Sequence, residues 1–202
     1  MKLFYKAGAC SLASHIALLE MAADFTLEAV DTVKGATASG ADYRAINPKG
    51  YVPALALADG EILTEGPAIL LYLADQAGAG VLAPLASRER ARMVEQLIFT
   101  SSELHRAFKP LFRPGANEAD QQAARAEVAQ KLAHVEAWLA DGRDYVVGEH
   151  FTVADAYLFV VANWTGFTGM TLDPWPHLAA HHQRIAERPA VRAAMQGEGL
   201  RP

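Results

Sequence analysis

Asn47-Pro48-Lys49-Gly50-Tyr51-Val52-Pro53-Ala54-Leu55-Ala56-Leu57-Ala58-Asp59-Gly60-Glu61-Ile62-Leu63-Thr64-Glu65-Gly66-Pro67 is the stretch from which the rest of the chain can be read. Asn-Pro-Lys-Gly is a strong turn signal. Val52 to Leu57 reads as a strand, Asp59-Gly60 as a two-residue hairpin turn, and Glu61-Ile62-Leu63 as the returning strand. Gly66-Pro67 then opens a helix through Asp75, because proline at the first helical position gives up an N–H that would have no intrahelical partner anyway. The expectation is a ββα unit.

Towards the N-terminus, Lys2 to Tyr5 reads as a short strand, Gly8 as a turn, and Ser11 to Ala23 as an Ala/Leu-rich helix. Thr26 to Val30 alternates as a second strand, and the polar stretch from Asp31 to Asp42 reads as a loop with a short helix after it. The order is βαβ, then ββα. Cys10, the only cysteine, falls at the start of the first helix. Free backbone N–H groups and the positive end of the helix dipole favour negative charge there, so the thiolate is expected to form more easily than in free cysteine. A free cysteine is as often a small buried apolar residue, and this stretch alone balances the two. Without a second cysteine, any redox chemistry must borrow an external thiol.

Towards the C-terminus, Gly78 to Ser87 breaks periodicity and everything beyond is helical in pattern. The expected division is residues 1–78, a linker over 79–87, and an all-helical domain over 88–202. Arg88 to Phe112 places Val94, Leu97, Ile98, Ser101, Leu104, Phe108 and Leu111 on one stripe, with Pro110 kinking the end. Glu118 to Ala140 repeats the pattern, so the two helices are expected to pair antiparallel. Phe151 to Val161 is apolar on nearly every face and reads as a buried central helix, with Thr152 and Asp155 at the spacing of a capping box. Pro176 to Glu187 and Pro189 to Gln196 close the chain as shorter helices.

The chain has 202 residues, is 51% hydrophobic and 20% charged, and carries a net charge of −5. This is the composition of a soluble globular protein with a real core. The acidic balance gives no reason to expect nucleic acid, and no apolar run is long enough to span a membrane. One cysteine fits a reducing compartment, and Met1 to Tyr5 lacks the apolar run of a signal peptide, so a cytoplasmic location is expected. The histidines, His181-His182 included, lack a carboxylate or cysteine constellation for metal and read as surface or packing residues.

Taken together, Cys10-Ser11-Leu12, Asn47-Pro48-Lys49-Gly50, Val52-Pro53, Leu63-Thr64-Glu65-Gly66, Glu103-Leu104-His105 and Phe151-Thr152-Val153-Ala154-Asp155-Ala156-Tyr157-Leu158-Phe159 resemble the cytosolic glutathione transferases, most closely their bacterial beta class. The motifs stand in the family's order and cover nearly the whole chain. The resemblance implies an α/β thioredoxin-like N-terminal domain that binds glutathione, followed by an all-α helical-bundle C-terminal domain that builds the second-substrate pocket.

Members of the family hold a cis proline at the position of Pro53, with the N–H and C=O of Val52 turned outward to pair with the ligand as an added strand does. An ordinary trans proline at a strand start is the alternative from the residues alone. Glu65 suits the ligand's amino group and the N–H groups after Gly66 its γ-glutamyl carboxylate, a plain helix-start carboxylate being the alternative. The resemblance brings Ser102, Glu103 and His105 to glutathione, the serine and glutamate from a partner subunit of a homodimer, although such a polar stripe usually marks a solvated helix face. His105 is then a hydrogen-bond donor to the thiolate or an acid/base. The class commonly has lysine where this chain has Gly35, which leaves Lys34 as the candidate for the glycyl carboxylate. Tyr51 replaces a common glutamine. Phe112, Trp164, Phe167 and Met170 are candidates for the electrophile's wall, or simply core.

The implied activity is conjugation of glutathione to hydrophobic electrophiles, in detoxification, and/or glutathione-dependent thiol-disulfide exchange through Cys10. Glutathione enters as co-substrate, with no further cofactor. The alternatives are a narrower glutathione-dependent dehalogenase or isomerase, and a stress-related protein that sequesters hydrophobic ligands.

Overall fold

Leu3 and Phe4, neighbours in β1 (Lys2–Tyr5), point to opposite faces of one sheet and are both buried, so the first strand already carries a layer on each side. In the computed structural model, which describes residues 1–201, β1 runs parallel to β2 (Thr26–Asp31). That pairing requires a crossover, supplied by α1 (Ser11–Glu20). The other strands are β3 (Ala36–Thr37), β4 (Ala54–Ala56) and β5 (Ile62–Thr64), giving the order β3-β2-β1-β4-β5 with every pair except β1–β2 antiparallel. Phe4, Val30 and Ala54 pack against Tyr43 of α2 (Tyr43–Ile46), with Ile46, Val52, Ala56 and Ile62 around them. On α1 pack α3 (Gly66–Gln76) and the last helix, α9 (Pro189–Gly197).

Three local expectations change. β3 interrupts the stretch read as a loop, two residues being too few to show a period. β4 is shorter than Val52 to Leu57, since Pro53 brings no N–H to the ladder. α1 stops at Glu20 rather than Ala23, and Ala22 has a φ of 49°, outside the helical region.

The chain forms two compact units, residues 1–83 together with the segment from Glu187, and residues 84–186. The tail therefore clusters with the first unit rather than with the helical domain expected over 88–202. α9 buries Val191, Ala194 and Met195, Arg188 grips Glu20 with nitrogen–oxygen distances of 2.6 and 2.9 Å, and Glu198 lies 3.1 Å from Nδ1 of His15 while accepting the Gly8 N–H at 3.0 Å. Periodicity identifies a helix; it does not say which core the helix joins.

In the second unit the helix expected from Arg88 to Phe112 is broken. α4 (Ser87–Phe99) passes into a π-helical turn at Thr100–Leu104, then α5 (His105–Phe108), then a 3-10 turn at Lys109–Phe112 that accommodates Pro110. α6 (Glu118–Leu139) runs antiparallel to it: the Phe99 ring meets Trp138, and Glu103, further on, meets Lys131. α7 (Val153–Phe167) is the buried central helix, packed against α4 and α8 (Pro176–Ala186). Among the described residues no helix is long and apolar enough to cross a membrane.

α7 starts on a complete capping box between Thr152 and Asp155. Asp155 is fully buried and accepts four hydrogen bonds, all at 2.8 Å, from the Val146 N–H, the Thr152 N–H, the Thr152 hydroxyl and Nε2 of His181. His181 is a packing residue with a carboxylate partner that the sequence did not reveal. Beside it, His182 stacks on Phe159 with ring centroids 4.7 Å apart, and burial followed by the neighbouring His181 lowers its pKa to about 4.

Asp155→Ala strands four buried donors and is expected to lower stability by about 3–5 kcal/mol in urea denaturation, more than an exposed cap would. For His182, the folded-state pKa lies below the unfolded one, so the unfolded chain takes up the proton first as pH falls. Stability is therefore expected to decline from about pH 6.5 towards pH 4, and the decline should be shallower in His182→Gln, measured by denaturation at each pH.

Candidate functional site

In the first unit the Cys10 thiol donates to the carbonyl oxygen of Val52 at 3.3 Å, joining the start of α1 to the segment ahead of β4. The Val52–Pro53 peptide bond is cis. Two side chains hold this segment from within: the Tyr43 hydroxyl at 2.8 Å and Nδ2 of Asn47 at 2.7 Å both donate to the Tyr51 carbonyl. Ser11, also buried, accepts the Lys6 N–H and donates back to the Lys6 carbonyl, tying down the turn before Cys10.

Glu65 caps α3 with a φ of 73°, a conformation that side-chain-bearing residues adopt rarely and usually where function demands it. Its carboxylate meets Nζ of Lys49 at 2.5 Å, and the same ammonium donates to the Thr64 hydroxyl. The Ile69 N–H returns to the Glu65 carbonyl, while the N–H groups of Gly66 and Ala68, in the first turn, have no intrahelical acceptor. This end of α3 is suited to an anion.

The expected easy ionisation of Cys10 is overturned. Burial pushes its pKa up to about 12, outweighing the backbone N–H groups of Cys10 and Ser11, and the Glu65 charge adds to the rise. The helix start is present, but desolvation wins. Lys34 is mostly exposed and faces its own Asp31 at 3.6 Å. The Tyr51 side chain is also exposed, so what the fold fixes there is the backbone.

In the second unit Ser102 and Glu103 lie exposed on the π-helical turn, and Glu103 is engaged by Lys131 at 2.8 Å, which lowers its pKa. His105 follows directly. Nδ1 of His105 is 2.8 Å from the Tyr157 hydroxyl, its ring lies edge-on to Trp164 at 4.7 Å, and burial lowers its pKa to about 4, so the ring is neutral. Trp164 also meets Phe108 and Phe112, at 5.7 and 5.4 Å. Phe112 and Trp164 thus belong to one aromatic group with His105. Phe167 is exposed and makes none of these ring contacts, and Met170 is partly exposed. Among the described residues no group of three or more His, Cys, Asp or Glu could hold a metal ion.

Sequence reasoning passed over Lys49, Tyr43, Asn47 and Tyr157 as site residues. Lys49 and Asn47 stood within a quoted motif and were read only as a turn. Tyr157 stood in the apolar run and was read only as core.

Family models for the N-terminal and C-terminal domains of glutathione S-transferase match residues 7–76 and 99–189. The chain is 49% identical to glutathione S-transferase GstA of Escherichia coli O157:H7, with all of both chains covered. A bacterial beta class glutathione S-transferase of Sphingomonas chungbukensis superposes over all of both chains with a TM-score of 0.93 at 45% identity. A sphingomonad glutathione S-transferase complexed with glutathione does so with a TM-score of 0.94 at 48% identity. With both domain models matched and nearly half of all residues shared along its full length, this chain belongs to the glutathione S-transferase family and stands close to its bacterial beta class.

Proposed function

We propose that the first unit binds glutathione in an extended form along Val52 and that the glutathione sulfur attacks the electrophilic carbon of an apolar second substrate. The observation that supports this most is the pairing of the Cys10 thiol with the Val52 carbonyl, in the unit that also carries the Glu65-Gly66 helix start. A carbonyl has two lone pairs, so Val52 can accept from a peptide N–H and from a thiol. The free helix N–H groups suit the γ-glutamyl carboxylate, and Glu65, shared with Lys49, the ammonium beside it.

A thiol with a pKa near 12 is a hydrogen-bond donor at neutral pH. In this reading Cys10 steadies the sulfur of glutathione rather than attacking for it. The glutathione thiol gives its proton to solvent, its sulfur forms the C–S bond, and the leaving group departs with the electron pair. The raised Cys10 pKa favours conjugation over disulfide exchange, because exchange requires the attacking thiolate. His105, neutral and held by Tyr157, serves as a hydrogen-bonding group, and Trp164 and Phe112 supply the apolar surface that a hydrophobic electrophile needs. The protein acts as a cytoplasmic homodimer in detoxification, with glutathione as co-substrate and no resident cofactor.

Immobilised glutathione is expected to retain both the parent and Cys10→Ala; a parent that flows through overturns the reading. Cys10 in the ligand-free native protein should react with iodoacetamide at pH 8 on the order of a hundredfold more slowly than free cysteine, with the rate recovering on unfolding. Trp164→Ala should raise the KM for an aryl halide several-fold and leave the KM for glutathione within about twofold, in steady-state kinetics.

A further inference from the structure

His105 follows the π-helical turn directly and is half-buried. Burial lowers its pKa to about 4, so at neutral pH the ring carries one proton, on Nδ1 or on Nε2. The two nitrogens have different surroundings. Nδ1 lies 2.8 Å from the Tyr157 hydroxyl. Nε2 has no hydrogen-bond partner among the described residues, yet it is not an atom sealed from solvent, so it faces open space.

Tyr157 decides where the proton sits. A phenol hydroxyl is a better donor than a neutral imidazole N–H, and a bare imidazole nitrogen a better acceptor than a phenol oxygen, so the bond runs from Tyr157 to Nδ1. Tyr157 is 2% exposed and stands on α7 in the same turn as the Thr152-Asp155 box, which holds the hydroxyl in place. The imidazole is also fixed by two rings that meet it edge-on, Trp164 at 4.7 Å and 77° and Tyr157 itself at 6.1 Å and 78°. Phe112 meets the same Trp164 at 5.4 Å. The open nitrogen therefore belongs to the aromatic group that offers a wall to the second substrate.

We infer that Tyr157 is a positioning residue: by donating to Nδ1 it places the His105 proton on Nε2 and presents that N–H to the negative charge that an electrophile lying against Trp164 and Phe112 gathers as sulfur adds to it. The inference rests on the conjugation reading above and names the atom that does the hydrogen bonding there. With the opposite tautomer the open nitrogen would offer a lone pair, which repels the same charge.

The test pairs a spectrum with a kinetic cycle. In nitrogen NMR of the full chain labelled in histidine, with His105→Gln identifying the signals, the parent is expected to show Nδ1 of His105 bare and Nε2 protonated. Tyr157→Phe, which removes only the hydroxyl, should move both signals towards those of a mixed population. A parent protonated on Nδ1, or a Tyr157→Phe spectrum identical to the parent's at His105, overturns the inference. In steady-state kinetics with glutathione and an aryl halide, Tyr157→Phe should lower kcat about tenfold, the scale of one well-placed hydrogen bond, and leave the KM for glutathione within about twofold. On the His105→Gln background the same substitution should change kcat by less than about twofold, because the hydroxyl acts only through the imidazole. An undiminished loss on that background, or a Tyr157→Phe variant with the parent's kcat, overturns the inference. A parent that does not turn over the pair overturns the conjugation reading, and with it the role at the electrophile, while the spectrum still decides the tautomer.

Discussion

The backbone segment ahead of β4 depends on one carbonyl oxygen, that of Tyr51, which accepts both the Tyr43 hydroxyl and the Asn47 amide. Both donors are buried, and burial raises the Tyr43 pKa, so its hydroxyl keeps the proton it donates. With both lone pairs engaged from the protein side, the backbone at Tyr51-Val52 is held rigidly where β4 has not yet begun. Val52 consequently presents its carbonyl to Cys10. The amide oxygen of Asn47, Oδ1, accepts the Lys49 N–H, which shapes the turn from which Lys49 meets Glu65. The turn at Asn47 to Gly50 and the backbone segment ahead of β4 are thus held by a few buried hydrogen bonds around α2.

The second unit concentrates its polar order in the same way, at a different kind of group. Asp155 gathers two backbone donors, a hydroxyl and an imidazole with no exposure to solvent, and so fixes the start of α7 against the segment at Val146 and against α8. Further along α7, Tyr157 and Trp164 then meet His105. The cap thus fixes Tyr157, in the same turn, and Trp164, more than two turns on, through the rigidity of a fully packed helix.

What was legible in the sequence was local. The Gly66-Pro67 helix start and the Thr152-Asp155 box are each written within a few residues and stand where their patterns put them, while the β4–β5 hairpin forms as expected but turns on three residues, Ala58-Asp59-Gly60, rather than on Asp59-Gly60 alone. The family motifs extended that reading to both units. Quantities set by distant neighbours were not legible. Cys10 has the helix start that favours a thiolate, yet its desolvation depends on tertiary packing. Lys49 and Glu65 are sixteen positions apart, Tyr157 and His105 fifty-two, and no period connects them. The π-helical turn at Thr100–Leu104 disturbs an apolar stripe by a single residue, too little to distinguish from a continuous helix.

The return of the tail to the first unit has a consequence for how the chain is made. Residues 1–83 are synthesised ahead of the helical unit, but α9, which packs on α1, and the Glu198 carboxylate that meets Gly8 and His15 come only after it. The turn that carries Cys10 therefore waits, with an open flank, while the entire helical unit is translated. A chain built this way cannot close its N-terminal unit before residues 84–186 have been made.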